Sequence, residues 1–296
     1  MTVLLPAIVP VSLIIAIGFV AGRTLTLEGQ TLSQLTIYVF APALIAGSLY
    51  RTTLSAQSGV GLVAGFAIAS FLLYLFVLSL SKLLRLPALV EKSLIATTLF
   101  ANTGNLGLPL VAFALGEQGL ERAVVYLVAS AMLIVGFGPA LLKGEGLKTG
   151  VQLTLKLPLF WAMLGGLLLR ALALKLPLPL ETGIEMLGSA TIPVALVLLG
   201  MQLSNTRLAI RRFEFGAATL RLLVAPAIAY AVGRLLGLEG LDLQVLVLQG
   251  AMPTAVNALV WTNEFGGDPP RVARTIVVST LMSLFTLPLV LWISNL

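Results

Sequence analysis

The sequence contains no cysteine and no histidine, and only 10% of its 296 residues are charged. Without cysteine, disulfide bonds and thiol catalysis are excluded, and without either residue a Cys/His zinc site is excluded as well. The lack of histidine also removes imidazole proton relays. An ordinary soluble domain carries about 25% charged residues, so this chain has too few charges to cover a soluble surface. We therefore expect a membrane protein.

Apolar residues make up 58% of the chain, and its mean hydropathy is +1.06. Breaks that carry charges, glycine or proline divide the apolar residues into ten runs, most of them about 20 residues long, which is the length that crosses a bilayer. The predicted spans are 3–22, 31–50, 59–81, 93–115, 122–142, 155–174, 184–203, 215–236, 243–263 and 272–294. The first run lacks a basic n-region, so we interpret it as a span and not as a cleaved signal. The predicted fold class is an all-α polytopic membrane protein with ten transmembrane helices.

The net charge of +6 comes from basic residues that lie singly or in pairs between the apolar runs, which is a pattern that orients loops and does not indicate nucleic acid. With the N-terminus outside, twelve basic residues fall in inner loops and five in outer loops. The inner ones are Arg23, Lys82, Arg85, Lys92, Lys143, Lys148, Lys156, Arg207, Arg211, Arg212, Arg271 and Arg274. We therefore predict a protein of the cell (inner) membrane with both termini on the extracytoplasmic side. Arg221, about two turns into the eighth span, either snorkels to the inner surface or faces a substrate path as a counter-charge.

Ten spans divide into five and five, and the two halves share a pattern of prolines. Pro10, Pro42 and Pro139 recur as Pro158, Pro193 and Pro288, at offsets of 148 to 151 residues. Because each half holds an odd number of spans, two copies in series have opposite orientations in the membrane, as in many transporters. We predict a 5+5 inverted repeat with a first repeat at 1–145, a linker at 146–154 and a second repeat at 155–296.

Two spans are interrupted at their middle. The fourth contains the run Ala-Asn-Thr-Gly-Asn-Leu-Gly-Leu-Pro at 101–109, and the ninth contains Gln-Gly-Ala-Met-Pro-Thr-Ala-Val-Asn at 249–257. Glycines loosen the backbone, and each proline removes an N–H, so we predict helix breaks at Gly104, Gly107, Pro109, Gly250 and Pro253. Irregular backbone at this depth survives only where it is buried in protein or lines a wet cavity. We therefore expect the broken helices 4 and 9 to cross near the centre of the membrane.

The crossing would bring four half-helix ends around one small volume. N-terminal ends suit an anion, and C-terminal ends offer carbonyl groups to a cation. The neutral side chains that we predict to contact a substrate there are Asn102, Thr103, Asn105, Thr254 and Asn257. Such a site holds a carboxylate without a buried lysine. The alternative for any single asparagine is that it only satisfies freed backbone groups.

The twelve acidic residues all fall at the ends of predicted spans or in loops, although Glu185 and Glu264 lie close to span ends. A carboxylate proton relay is therefore disfavoured. Without histidine, cysteine or a buried carboxylate pair, the chain offers no general base and no metal site, so we do not expect an enzyme.

Three motifs resemble those of the auxin efflux carrier family, which includes plant PIN proteins and bacterial malate or malonate permeases. They are Asn-Thr-Gly-x-Leu-Gly-Leu-Pro at 102–109, Met-Pro-x-Ala-Val-Asn at 252–257 and Ser-Thr-Leu-x-Ser-Leu-x-Thr-Leu-Pro at 279–288. The resemblance spans the whole chain and implies a ten-helix inverted repeat similar to bile-acid sodium symporters. Helices 1, 2, 6 and 7 would form a scaffold and a homodimer contact, and helices 3–5 and 8–10 a mobile transport domain.

Carried over residue by residue, the resemblance implies substrate contacts at Asn102, Asn105 and Asn257, with Pro109 and Pro253 making the crossover. The chain departs from the family in two respects. Only about a dozen residues join its repeats, so the long central hydrophilic loop of plant members is missing. The sodium-site carboxylate of the bile-acid relatives has no clear counterpart at the ninth-span break.

We therefore expect a secondary transporter of small organic anions, such as carboxylates or auxin-like acids, that works by elevator-type alternating access. Its expected partners are the anion and the lipid bilayer, with no nucleic acid and no cofactor. Two alternatives stay open. One is a sodium- or proton-coupled organic anion symporter, and the other is a membrane receptor that binds its ligand without transport.

Overall fold

A computed structural model of the chain describes residues 4–143, 147–204 and 211–294. The regular elements in these ranges are helices. In chain order the α-helices are α1 Leu4–Thr24, α2 Gly29–Leu35, α3 Ala41–Arg51, α4 Ala56–Leu83, α5 Ala88–Leu99, α6 Leu108–Lys143, α7 Leu147–Thr154, α8 Pro158–Ala171, α9 Leu178–Ser189, α10 Thr191–Ser204, α11 Arg212–Thr219, α12 Ala225–Leu235, α13 Gly240–Gly250, α14 Asn257–Phe265 and α15 Pro269–Ser294. The predicted repeat boundary at residues 145 and 146 lies outside the described residues, as do Val3 and Arg207.

Three π-helical turns interrupt the described helices, and each directly precedes an α-helix whose second residue is proline. The turns are Thr36–Phe40, Thr103–Gly107 and Leu220–Val224. The prolines are Pro42, Pro109 and Pro226. A proline has no N–H and its ring crowds the carbonyl group four residues earlier, so the turn before it widens. The turn at Thr103–Gly107 lies within the first predicted break.

Six helical segments in the described ranges are long and apolar enough to cross a membrane. They are Gly29–Arg51, Ala56–Leu83, Thr103–Gly136, Leu178–Ser204, Arg212–Leu235 and Pro269–Ile293. Ile8–Thr24 and Pro158–Ala171 are shorter apolar helices. Gly116, at a φ of 67°, marks a kink inside α6 between the fourth and fifth predicted spans. The all-helical, polytopic membrane character is thus confirmed, and the number of ten spans stays a prediction.

One group of helices consists of α1, α3, α8, α9 and α10. α1 packs along α10, and α3 packs against both α8 and α9. Glycine makes the first contact close, since a Cβ atom on Gly18 would lie 2.2 Å from the Val197 carbonyl oxygen and one on Gly200 would lie 2.1 Å from the Ile15 carbonyl oxygen. Small residues bring helix backbones together in this way inside membranes.

A second group consists of α4, α5, α6 and α11 to α15. α4 packs against α6 and α12, α13 against α6 and α12, and α11 against α15. The two groups meet where α6 faces α1 and where α10 contacts the π-helical turn Thr103–Gly107. The first predicted break therefore lies at the boundary between the groups.

Candidate functional site

The interruptions predicted in the fourth and ninth spans pair with each other. Irregular backbone follows α5 at residues 100–102 and α13 at residues 251–256, and we call these two segments the crossover. The Asn102 N–H donates to the Pro253 carbonyl at 2.8 Å, and the Ala255 N–H donates to the Phe100 carbonyl at 2.7 Å. The two hydrogen bonds form an antiparallel bridge. Each break thus satisfies backbone groups of the other, as a low-dielectric interior requires.

Arg221 joins both broken segments from a third element, the π-helical turn between α11 and α12. Its side chain is only 4% exposed. Its Nε donates to the Met252 carbonyl at 2.9 Å, its Nη1 to the Thr98 carbonyl at 2.6 Å, and its Nη2 to the Gly250 carbonyl. The alternative that Arg221 snorkels to the inner surface is therefore wrong. The guanidinium binds the carbonyl ends of α5 and α13.

The charge of Arg221 matches the charge of the two helix ends that it binds. A helix C-terminus carries about half a negative charge, so α5 and α13 together present about one negative charge at the crossover. The guanidinium supplies one positive charge, and in the described part of the chain it forms no ion pair with an acidic residue. The N-terminal ends that lead into α6 and α14 carry partial positive charge. Arg221 is itself a cation and therefore does not balance them.

The two threonines predicted as substrate contacts are engaged in the protein. Thr254 is fully buried, its Oγ1 donates to the Thr97 carbonyl at 2.7 Å, and its N–H donates to Ser279 Oγ at 3.1 Å. Thr103 Oγ1 and Ser130 Oγ share a hydrogen bond of 3.1 Å. Both threonines therefore brace the crossover, and their hydroxyl groups are already committed.

The three predicted asparagines differ from the threonines, because in the described part of the chain no hydrogen bond of their side-chain amides is found. Asn102 is 4% exposed, and its Nδ2 has no hydrogen-bond partner. Asn105 is half-buried within the π-helical turn, and Asn257 is exposed as the first residue of α14. Asn102 and Asn105 thus lie at the N-terminal side of α6, and Asn257 lies at that of α14. These are the ends to which an anion is attracted.

The five residues predicted to break the helices all lie in irregular backbone or within two residues of it. Gly104 and Gly107 belong to the π-helical turn, and Gly250 is the last residue of α13. Pro109 is the second residue of α6, directly after the π-helical turn, and it has no N–H to donate to a carbonyl group of that turn. Pro253 lies inside the crossover, where its carbonyl group serves the other break.

Gln249 and Glu214 are buried polar residues that were not predicted as site residues. Gln249, in the last turn of α13, is fully buried, and within the described ranges neither polar atom of its amide has a hydrogen-bond partner. Glu214, near the start of α11, is 1% exposed, and its Oε1 accepts from Arg274 Nε at 2.7 Å. A polar residue within an apolar run was the available signal for Gln249. For Glu214 the position close to a span end suggested a loop, and only the packing of α11 on α15 reveals its burial.

Open space lies along the boundary between the two helix groups. A cavity of about 950 Å³ lies between α3, α4, α6 and α8, and its lining is mostly apolar. Another, of about 420 Å³, lies between α3, α6, α9 and α10, and its lining includes Arg51, Glu117, Glu121 and Glu185. None of the five predicted contact residues lines either cavity.

Groups of ligands for a metal are not found in the part of the chain that the structure describes. No three acidic side chains there are close enough together to hold a metal ion. The carbonyl groups of Thr98, Gly250 and Met252 accept hydrogen bonds from Arg221.

Comparisons with known proteins point to membrane transport. The profile of the family described as "Membrane transport protein" matches residues 3–154 and 147–291. The chain is 30% identical over 274 residues, 88% of each chain, to an uncharacterized transporter of Methanothermobacter thermautotrophicus. It is 24% identical over 289 residues, 92% of this chain and 90% of the relative, to a putative malonate transporter of Rhizobium meliloti. A shorter match of 115 residues, at 27% identity, covers 38% of this chain and 18% of auxin efflux carrier component 1 of Arabidopsis thaliana.

Proposed function

Since the chain belongs to the membrane transport protein family, that of the auxin efflux carriers, we propose that it carries small organic anions, such as carboxylates or auxin-like acids, by elevator-type alternating access. The proposed substrate contacts are the amides of Asn102, Asn105 and Asn257. The name of the Rhizobium relative makes dicarboxylates such as malonate the first acids to test.

The observation that carries the proposal is the position of Arg221. Its guanidinium balances the negative ends of α5 and α13. The N-terminal ends of α6 and α14, each with about half a positive charge, are left unbalanced. One carboxylate of the substrate would balance these two ends. Asn102, Asn105 and Asn257 lie at the same ends with free amide groups, which hold an anion by hydrogen bonds without a second buried charge.

The sodium-coupled alternative fits the crossover less well. Sodium would need the carbonyl oxygens of the broken helices, and three of them already accept from a cationic side chain. Arg221 thus occupies the position at which a coupling cation would bind. We propose transport without sodium, and we keep the symporter and the receptor as outcomes of the experiment below.

The elevator mechanism rests on the two helix groups and their boundary. We assign helices 1, 2, 6 and 7 of a ten-span, inverted-repeat fold to a scaffold, which corresponds to α1–α3 and α8–α10. Helices 3–5 and 8–10 form the transport domain, which corresponds to α4–α6 and α11–α15. Support comes from the packing within each group and from the cavities along their boundary. The crossover belongs wholly to the transport domain, so a bound anion would move with it.

The remaining assignments extend the sequence analysis. The chain is a multi-pass membrane protein, and we propose the inner membrane with both termini outside, because basic residues are concentrated in the inner loops. We also propose a homodimer through the scaffold helices. The two repeats, 1–145 and 155–296, are joined by the linker 146–154.

Counterflow in proteoliposomes tests the proposed function. Vesicles are loaded with unlabelled malonate, malate or indole-3-acetate, and entry of the same labelled acid is followed with no ion gradient imposed. We expect entry in the wild type and a loss of about tenfold or more in Asn105→Ala, because a charged ligand loses a hydrogen bond. Gln57→Ala is the matched control, since Gln57 is an exposed amide at the start of α4.

Each alternative gives a different result in the same assay. Entry that requires sodium on the labelled side would favour the symporter. Binding of a labelled acid by the folded protein without any flux would favour the receptor. Normal counterflow in Asn105→Ala would remove Asn105 from the site, and neither binding nor flux with any of the three acids would refute the proposal.

A further inference from the structure

Gln249 reaches from the second broken segment into the first. Its side chain lies directly against Gly107, in the space where any other residue would place its own side chain. A Cβ atom on Gly107 would lie 2.2 Å from Gln249 Oε1 and 3.1 Å from Gln249 Nε2. Glycine at position 107 therefore makes room for the amide of Gln249.

Neither the donor nor the acceptor of this amide is used within the protein. Gln249 is fully buried, and both its Oε1 and its Nε2 lack a hydrogen-bond partner among the residues that the structure describes. Buried polar groups are nearly always paired, and an unpaired one needs an explanation. A methionine would fill similar space without an unsatisfied amide, so packing alone does not account for glutamine here.

A second unpaired amide nitrogen belongs to Asn102, the residue whose main chain is bonded to the same glycine. Asn102 Nδ2 is buried and unpaired, and the Asn102 carbonyl accepts the N–H of Gly107 at 3.0 Å. Gly107 thus has Asn102 bonded to its backbone and Gln249 packed against its Cα. One amide comes from each broken segment, and both have free N–H groups near the positive end that leads into α6.

We propose that Gln249 is a substrate-binding residue, and that Gln249 Nε2 and Asn102 Nδ2 donate to one carboxylate group of the substrate. The inference rests on the proposed function. It adds Gln249, which belongs neither to the three sequence motifs nor to the predicted asparagine contacts. A carboxylate has two oxygen atoms that each accept such bonds, and two neutral amides bind it without a charge that must be buried when the site is empty.

The position of Arg221 strengthens this assignment. Arg221 donates to the carbonyl groups of Gly250 and Met252, one and three residues after Gln249. Its positive charge is therefore close to the proposed carboxylate position, and three of its five N–H groups donate to carbonyl groups of the broken segments. An anion gains from that charge without displacing the guanidinium.

The test replaces Gln249 by methionine and measures both thermal stability and counterflow. Because Gln249→Met breaks no hydrogen bond within the protein, we expect a melting temperature equal to or above that of the wild type. We expect the KM for labelled malonate, or for whichever of malonate, malate and indole-3-acetate the wild type exchanges, to rise about tenfold or more. Gln249→Glu, which adds a negative charge at the same place, should abolish exchange at neutral pH.

Ser81→Ala is the matched control. Ser81 Oγ is also buried without a partner, but it lies in the last turns of α4 and not at the crossover. Its loss should leave the KM unchanged with an equal or higher melting temperature. The contrast separates a ligand contact from a polar group that is merely unsatisfied.

Every outcome decides the inference. An unchanged KM in Gln249→Met, with normal exchange in the wild type and loss in Asn105→Ala, overturns this inference and leaves the proposed function standing. Failure of both Gln249→Met and Gln249→Leu to fold shows a structural role and also overturns it. Absence of exchange of all three acids by the wild type overturns the proposed function and this inference together.

Discussion

Arg221→Met would remove the guanidinium, which donates hydrogen bonds to carbonyl groups of both broken segments. The variant leaves three buried carbonyl groups, those of Thr98, Gly250 and Met252, without their donors. An unpaired buried polar group costs about 1–3 kcal/mol, so the loss amounts to about 3–9 kcal/mol. Two terms oppose this loss of stability. Removal of a buried charge recovers desolvation energy, and methionine packs well in an apolar site.

We expect the cost of the three unpaired carbonyl groups to exceed the two opposing terms, so that the variant is less stable than the wild type. They belong to irregular backbone and helix ends that are already held by the antiparallel bridge, so they cannot turn away to find other donors. In a protein of this size 1 kcal/mol changes the melting temperature by about 2–4 °C. We therefore expect Arg221→Met to melt about 10 °C or more below the wild type in detergent, and to lose counterflow at temperatures where it is still folded.

Arg221→Lys is the informative companion variant. An ammonium keeps the positive charge but lacks the planar fork that serves three separated acceptors, so it recovers only part of the bonding. We expect a melting temperature between those of the wild type and Arg221→Met. Size-exclusion chromatography after heating measures all three proteins without a substrate. A methionine variant as stable as the wild type would refute the structural role of Arg221 at the crossover.

Two further changes test the surroundings of the site. Pro253→Ala adds an N–H and lets the ninth span continue its helix across the crossover, so turnover in counterflow should fall while the affinity for the labelled acid changes little; equal losses in both would contradict this. Glu214→Gln weakens the buried bond of 2.7 Å to Arg274 and should lower the free energy of unfolding by about 1–3 kcal/mol, seen as a lower melting temperature than in Gln57→Ala.

Much of the crossover could be predicted from the sequence because proline and glycine act locally. Pro109 and Pro253 lack N–H groups wherever they are placed, so the breaks follow from the residues themselves. The same reasoning applies to Pro42 and Pro226, each preceded by a π-helical turn. The pairing of the two breaks required one further step, namely that unpaired backbone groups in a membrane must find each other.

The roles of individual side chains could not be predicted in the same way. Arg221 is separated by 123 residues from Thr98 and by 31 from Met252, and hydropathy gives no information about which way a helix is rotated toward another. Thr103 and Thr254 have the right chemistry for a substrate, but their hydroxyl groups are bonded to Ser130 and Thr97. Whether a polar group is free depends on neighbours from other helices, which a single sequence does not specify.

The charge of the crossover bears on the direction of transport. Within the proposed transport domain, Glu214 is paired with Arg274 and Asp242 with Arg122, so Arg221 is a buried charge without an acidic partner. A bound monoanion would offset this formal charge, so the buried centre of the loaded domain would cross the membrane with almost no net charge. In the empty domain this buried positive charge would be uncompensated, and it is worth about 2.3 kcal/mol per 100 mV if it crosses the whole potential. If the proposed elevator movement operates, a membrane potential that is negative inside would hold the empty site facing the cytoplasm, where it collects an anion, and would favour efflux.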